Sequence, residues 1–474
     1  MSVTNSVGDY VAQVRKGGVD ILEDCRHALE SARRINTRHH FLNTIADERF
    51  IAEARSVSDA AKKGRTGRLA GVALSVKDCL CVKDVETTAG SAILRGYHPL
   101  FDATAVERAV KEGAMVIGKT AQDEFGFGGF SVNVGKGFER PTNPIDASRS
   151  CGGSSGGAAG LTRAATFPHL AIAESTGGSI VCPAAFCGVV GICPTYGRVS
   201  RYGLIDYANS LDKIGTMATT VQDAALLLEV ISGHDKNDST SSPRTMEPLD
   251  AAASIEGLRV GIIKEAFGQG VDAAVAHAVK EGASQLEASG ATLTNVSLPN
   301  VAKYGVACYY IIAMCEASTN LAKYCGMRYG AHGALGPQFN DYFSQVRTQH
   351  FGDEAKRRLM LGTFARMAGW REAYYVRALK VRAALIEEYQ RAFKNVDVLL
   401  SPTMPMVAPT FDEIAKLSPL QNYMADILTV GPNLAGLPHA SVPVGNVKNL
   451  PVGLQLIANH FDEKTLIRAA GGLQ

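Results

Sequence analysis

Apolar residues in the first sixty positions recur at three- and four-residue steps, as in YVAQVRKGGVDILEDCRHALESARRI, with a break at Gly17-Gly18. That spacing places them on one helical face and predicts a helical N-terminal segment, residues 1–65, packed on whatever follows. From Leu69 the pattern changes. Short apolar runs (GVALSV, AMVIG, HLAIA, LRVGII, ATLTNVSL) alternate with helix-period stretches such as TAVERAVKEG, QDAALLLEVISG and DAAVAHAVKEGASQLEASG. The alternation predicts an α/β fold, with helices layered on a largely parallel or mixed sheet. Residues 233–250 are polar and rich in Ser, Asp and Pro, a surface connection. Residues 301–394 are strongly helical, and NVDVLLSPT, ASVPVG and VGLQLIA then restore the strand pattern. If these late strands rejoin the earlier sheet, residues 66–474 form one domain with a helical insertion at about 301–394.

Composition acts mainly by exclusion. With 46% hydrophobic and 20% charged residues among 474, the chain has material for a large core. Lys and Arg number 48 against 46 Asp and Glu, a net charge of +2 that gives no broad basic footprint for a nucleic-acid backbone. No apolar run approaches the roughly 18–20 residues of a membrane span, and the first twenty residues lack a signal-peptide core, so a cytoplasmic location without membrane contact is expected. The ten cysteines have neither disulfide-scaffold density nor CxxC pairs near histidines. They read as small buried hydrophobes, and no metal site is expected.

Three motifs carry candidate chemistry. Gly113 to Thr120, GAMVIGKT, fits the P-loop expression, but a helical segment precedes it and Ala-Met-Val-Ile is itself the strand, so Lys119 reads as a strand-end lysine. Gly152-Gly153-Ser154-Ser155-Gly156 fits the GxSxG nucleophile elbow, with Asp397 and His439 following in the required order. The turn-rich ERPTNPIDASRSC before it is not the strand an elbow needs. The third reading takes this loop together with a second one, Ser175-Thr176-Gly177-Gly178-Ser179, and with Lys77, delivered at the end of the apolar run GVALSV.

A lysine followed by two glycine-flanked serines resembles the amidase signature family of Ser-cisSer-Lys amide hydrolases, through CGGSSGGAAG and ESTGGSIVCPAAFCG. That resemblance implies a three-layer α/β/α sandwich around a large mixed sheet. It places Lys77 on the catalytic lysine, Ser154 on the bridging serine and Ser179 on the acylated nucleophile. GKTAQDEFGFGG, RVSRYGLIDYANSLDKIG, KRRLMLGTF and DILTVGPNLAGLPHASVPVG are similar to one branch, the A subunits of tRNA-dependent amidotransferases. Membership of that branch implies hydrolysis of glutamine, with the ammonia passed to a B subunit that uses ATP and Mg to amidate Glu-tRNA(Gln) or Asp-tRNA(Asn), and a small C subunit packed between them. No cofactor is implied for this chain, and tRNA would be handled mainly by the B subunit. A free-standing amidase on another small amide and a catalytically silent scaffold are the alternatives.

The chemistry needs a base, because an unassisted serine is a weak nucleophile. Lys77 would have to fall from about 10.4 toward roughly 7–8 through burial to take a proton from Ser154 while Ser154 takes one from Ser179. The N–H groups of Thr176, Gly177, Gly178 and Ser179 could converge on the oxyanion. By resemblance, Arg358 is assigned to the glutamine α-carboxylate, with Arg357 its nearest rival, and Asp426 to the α-ammonium. Asp123 and Glu124 are either surface carboxylates or polar linings of an ammonia passage. The chain departs from the family pattern at Ser175, where an aspartate is usual, at Val181, where an arginine is usual, at Ala121-Gln122 and at Cys151.

Overall fold

The computed structural model describes residues 6–336 and 338–474; the first five residues of the expected N-terminal segment lie outside it. Among the described residues eleven strands form one sheet. They are β1 (Leu42–Ile45), β2 (Ala73–Lys77), β3 (Met115–Thr120), β4 (His169–Ser175), β5 (Val190–Cys193), β6 (Lys213–Ala218), β7 (Arg259–Ile263), β8 (Thr292–Val296), β9 (Val398–Pro402), β10 (His439–Val447) and β11 (Leu450–Ala458). The spatial order is β1-β3-β2-β4-β6-β5-β10-β11-β9-β7-β8. Pairs β3–β2, β2–β4, β9–β7 and β7–β8 are parallel and the others antiparallel, so the sheet is mixed. The late strands do rejoin it: β10 pairs with β5 through Ala440 and Ile192, and β9 to β11 connect that half to β7 and β8.

Helices cover both faces. Gly453 of β11 faces Ala185 in the helix Val181–Cys187, whereas its neighbour Leu454 meets Gly282 in the helix Ala273–Ala288. Successive strand residues point to opposite faces, so the sheet is sandwiched. This explains why β2, β3 and β4 are buried along their whole length and read as continuous apolar runs. One hydrophobic cluster runs from Val7 to Leu473. Nine of the ten cysteines are buried, and all ten are free thiols.

Three strands differ from the sequence reading. Residues 1–60 are not wholly helical, because Leu42–Ile45 forms β1 antiparallel to β3, a four-residue strand too short to show alternation. Strands β5 and β6 also escaped notice, lying among Pro and Gly residues. Between β8 and β9 the chain forms the helices Pro299–Asn320, Phe339–His350, Asp353–Arg366 and Arg377–Ala392.

β1 can approach β3 closely because residue 118 has no side chain. A Cβ there would lie 2.4 Å from the Thr44 carbonyl oxygen. Gly118→Ala is therefore expected to lower stability by about 1–3 kcal/mol, as overpacking does. Denaturant midpoints would show it, and an unchanged midpoint would mean β1 withdraws without cost.

Candidate active site

Two of the three motifs dissolve on inspection of their surroundings. Residues Met115–Thr120 are β3, not a phosphate loop, and Lys119 is fully buried, paired with Asp78 at 3.3 Å and donating to Leu80 O and Thr87 Oγ1 at 2.7 Å. Ser154 follows no strand. Asp397 instead pairs with Arg259 on the surface at 2.6 Å. His439 is buried in β10, where burial and then Lys213 hold its imidazole far below the usual range, so neither serves a serine triad.

The lysine and the two serine loops do converge. Lys77, the last residue of β2, is completely buried and donates from Nζ to Ser154 Oγ at 2.8 Å. The Ser154 loop is held by close packing, and its Gly153–Ser154 peptide bond is cis. A Cβ at Gly153 would sit 2.2 Å from Asp123 Oδ2, and Ser155 Oγ donates to the Glu174 carbonyl at 3.1 Å. Asp123 is thus no surface carboxylate: it accepts from the Ser131 and Asn133 N–H groups, and burial pushes it up to about 6. Glu124 is buried too, accepting from Ser91 Oγ and the Gly352 N–H, and burial pushes it up to about 7.

Ser179 follows β4 on the second loop, with the Ser155 N–H donating to its carbonyl at 3.2 Å. Gly177 and Gly178 let Tyr309 and Thr429 pack against bare backbone, since a Cβ at either would lie within 3 Å of those side chains. Asn433 Nδ2 clamps the loop by donating to the Thr176 and Leu211 carbonyls. Among the described residues, none accepts a hydrogen bond from the N–H groups of Gly177, Gly178 or Ser179.

Arg358 and Asp426 meet Ser179 in one narrow cavity, together with Tyr309 and Tyr310. Arg358, on Asp353–Arg366, is 3% exposed and donates to Glu354 Oε1 at 2.8 Å and to Tyr207 OH at 2.7 Å. Its guanidinium carbon lies 5.2 Å from the Phe127 and Tyr310 ring centres and 5.4 Å from that of Tyr423, a cage of ring faces around a cation. Asp426 accepts from Tyr310 OH at 2.5 Å, and burial pushes its carboxyl upward against the pull of Tyr310 and Arg358. It does not cap a helix with its side chain. Arg357 is half exposed and lines only the adjoining outer cavity of about 210 Å³, which shares Tyr310 and Arg358 with the inner one.

The sequence reading missed Glu174. Its Oε2 accepts from Lys77 Nζ at 2.8 Å and its carbonyl at 2.9 Å. At the two positions that depart from the family pattern, Ser175 and Val181 are both fully buried. Glu354, Tyr207, Tyr310 and Tyr423 were missed as well.

The model of the Amidase family matches residues 23–467. The chain belongs to the amidase family. Among curated members, the A subunit of a glutamyl-tRNA(Gln) amidotransferase from Methanococcoides burtonii is 47% identical over 405 residues, 85% of this chain and 84% of that relative. The crystal structure of the A subunit of a glutamyl-tRNA(Gln) amidotransferase from Thermotoga maritima superposes with a TM-score of 0.80 at 33% identity, covering 98% of this amidase and 93% of that chain. A peptide amidase from Stenotrophomonas maltophilia gives 0.81 at 28%, covering 99% and 96%. The mixed sheet and its helical layers are thus those of amidase-family enzymes. Among the described residues no helix is long and apolar enough to cross a membrane.

Proposed function

We propose that this amidase is the glutaminase subunit of a tRNA-dependent amidotransferase, with Lys77, Ser154 and Ser179 as its catalytic residues. The observation that carries the reading is the buried Lys77–Ser154 hydrogen bond beside a cavity in which Ser179, Arg358 and Asp426 meet. The likeness to curated A subunits supports the biological role.

In the first half-reaction Ser179 Oγ attacks the glutamine carboxamide carbon as its proton passes to Ser154 and the proton of Ser154 to neutral Lys77. The N–H groups of Thr176, Gly177, Gly178 and Ser179 receive the developing oxyanion. Collapse of the tetrahedral adduct breaks the C–N bond, and Lys77 returns its proton through Ser154 to the leaving nitrogen, releasing ammonia. Water then enters by the same relay in reverse, freeing glutamate and Ser179. Burial keeps competing water from the Lys77–Ser154 contact, and no cofactor takes part.

Ammonia made here would pass to a B subunit, which would use ATP and Mg to amidate Glu-tRNA(Gln) or Asp-tRNA(Asn), with a C subunit to complete the assembly. The test is transamidation by the assembly reconstituted with the B and C subunits. Glutamine-dependent product is expected to vanish in Ser179→Ala while ammonium still supports it. If glutamine and ammonium serve the Ser179→Ala assembly equally, the coupling is refuted. If the chain alone hydrolyses other small amides as well as glutamine and ignores the partners, it is a free-standing amidase.

A further inference from the structure

Lys77 can act as a base only when neutral, yet Glu174 lies 2.8 Å from its ammonium nitrogen. An ionised carboxylate there would fix positive charge on the lysine. The hydrogen inventory around Glu174 resolves the conflict. Thr176 Oγ1 lies 2.9 Å from Glu174 Oε1 and 2.8 Å from Asp212 Oδ1, and a hydroxyl has a single hydrogen to donate. If both carboxyls were ionised, one of these contacts would set two acceptors face to face in a buried site, an unsatisfied contact that low dielectric makes costly. One carboxyl therefore carries a proton.

The surroundings say which. Asp212 accepts the N–H groups of Tyr207 at 2.8 Å and Ala208 at 2.9 Å, and both favour its charged form. Glu174 receives no backbone donor on its carboxyl among the described residues; its other oxygen meets only Lys77. Burial and then the charge of the neighbouring Glu174 push the Asp212 carboxyl well above the usual range; the second cause disappears once Glu174 carries the proton, while the Ala208 N–H, Thr176 and Arg201 pull Asp212 back toward its charged form. The remaining groups that face the pair are the thiols of Cys79 and Cys193, both pushed upward by burial and so neutral, and Arg201, which acts on the Asp212 side.

We propose that Glu174 is a positioning residue that works as a neutral carboxylic acid, donating from Oε1 to Thr176, which donates to ionised Asp212, so that Glu174 holds Lys77 without fixing charge on it. The carbonyl-like Oε2 then accepts one N–H of Lys77 and the Glu174 backbone carbonyl a second. The lysine lone pair is left for the proton of Ser154. No proton leaves Glu174 during turnover.

The proposal rests on Lys77 being the base, but its first test does not. Infrared difference spectra of resting wild-type chain minus Glu174→Gln at neutral pH are expected to show a protonated carboxyl carbonyl band that shifts when glutamates carry carbon-13 and not when aspartates do. A difference containing only carboxylate bands, or a band that follows the aspartate label, overturns the proposal whether or not the chain hydrolyses an amide. The second test is the pH profile. Glutamine mimics the neutral acid, so the acid limb of kcat/KM in Glu174→Gln should stay within about half a pH unit of wild type, whereas loss of an ionised neighbour would move it down by about one unit or more. Glu174→Ala, which removes the hold on Lys77, should lower kcat by about 100-fold with KM little changed. An acid limb displaced downward in Glu174→Gln would show that the glutamate is charged.

Discussion

Ser179→Ala will form no acyl-enzyme, and Lys77→Ala and Ser154→Ala will each lower kcat for glutamine by at least about 10,000-fold, because in the proposed relay the three groups act as one proton path. The double variant Lys77→Ala/Ser154→Ala should be no worse than either single change, since a path broken once gains nothing from a second break. The alternatives are few. Ser155 gives its hydroxyl to the Glu174 carbonyl, which also accepts from Lys77, and makes no hydrogen bond to Lys77 or Ser154 itself. Cys182, the thiol near the Gly129 carbonyl, is fully buried and its thiol is pushed well upward, so it holds too little thiolate to compete. Trapping with an electrophilic glutamine analogue and mapping the adduct by mass spectrometry decides the matter. Modification at Ser155 or at any cysteine, or full additivity in the double variant, would refute the relay.

How far the sequence reveals this site depends on whether each residue is marked by its own segment. Lys77 is marked by the strand that ends on it, and the serines by glycines that admit close packing, so both were legible. Glu174 carried a signal that could have been used: a carboxylate directly after the apolar run LAIA is out of place unless something pairs with it. The neighbouring parallel strand, β2, ends in Lys77, and the register Val76 to Ile172 brings the two ends together. Only the sheet order supplies that juxtaposition. The cage around Arg358 is less legible still, because Phe127, Tyr207, Tyr310 and Tyr423 come from four segments spread over some three hundred residues and share no local pattern. At the level of fold, β1 and β5 were lost because four residues cannot display a period, whereas the long helices of the insertion could.

Arg358 and Asp426 will separate the two ends of glutamine. A carboxamide resembles every other carboxamide, so selection must come from the α-carboxylate and the α-ammonium, and the cavity holds one cation and one anion beside Ser179 to meet them. Arg358 pairs with Glu354 inside the ring cage, so removing its whole side chain would open a void there even though Glu354 keeps Arg357 and the Tyr423 hydroxyl. Arg358→Lys keeps the charge while losing the forked geometry, and is the cleaner change. Asp426→Asn likewise keeps an acceptor for Tyr310. Each should cost about 2–5 kcal/mol in kcat/KM for glutamine, or roughly 30-fold to several-thousandfold. The loss should disappear with the matching truncated substrate. Arg358→Lys should handle 4-aminobutanamide, which lacks the α-carboxylate, as well as wild type does, and Asp426→Asn should do the same with glutaramate, which lacks the α-ammonium. Burial raises the Asp426 carboxyl, so protonation removes its charge at a higher pH than for an exposed aspartate, and KM for glutamine should climb on acidification. In Asp426→Asn that climb should be absent. Penalties that persist unchanged on the truncated substrates would mean the two residues shape the cavity without touching glutamine.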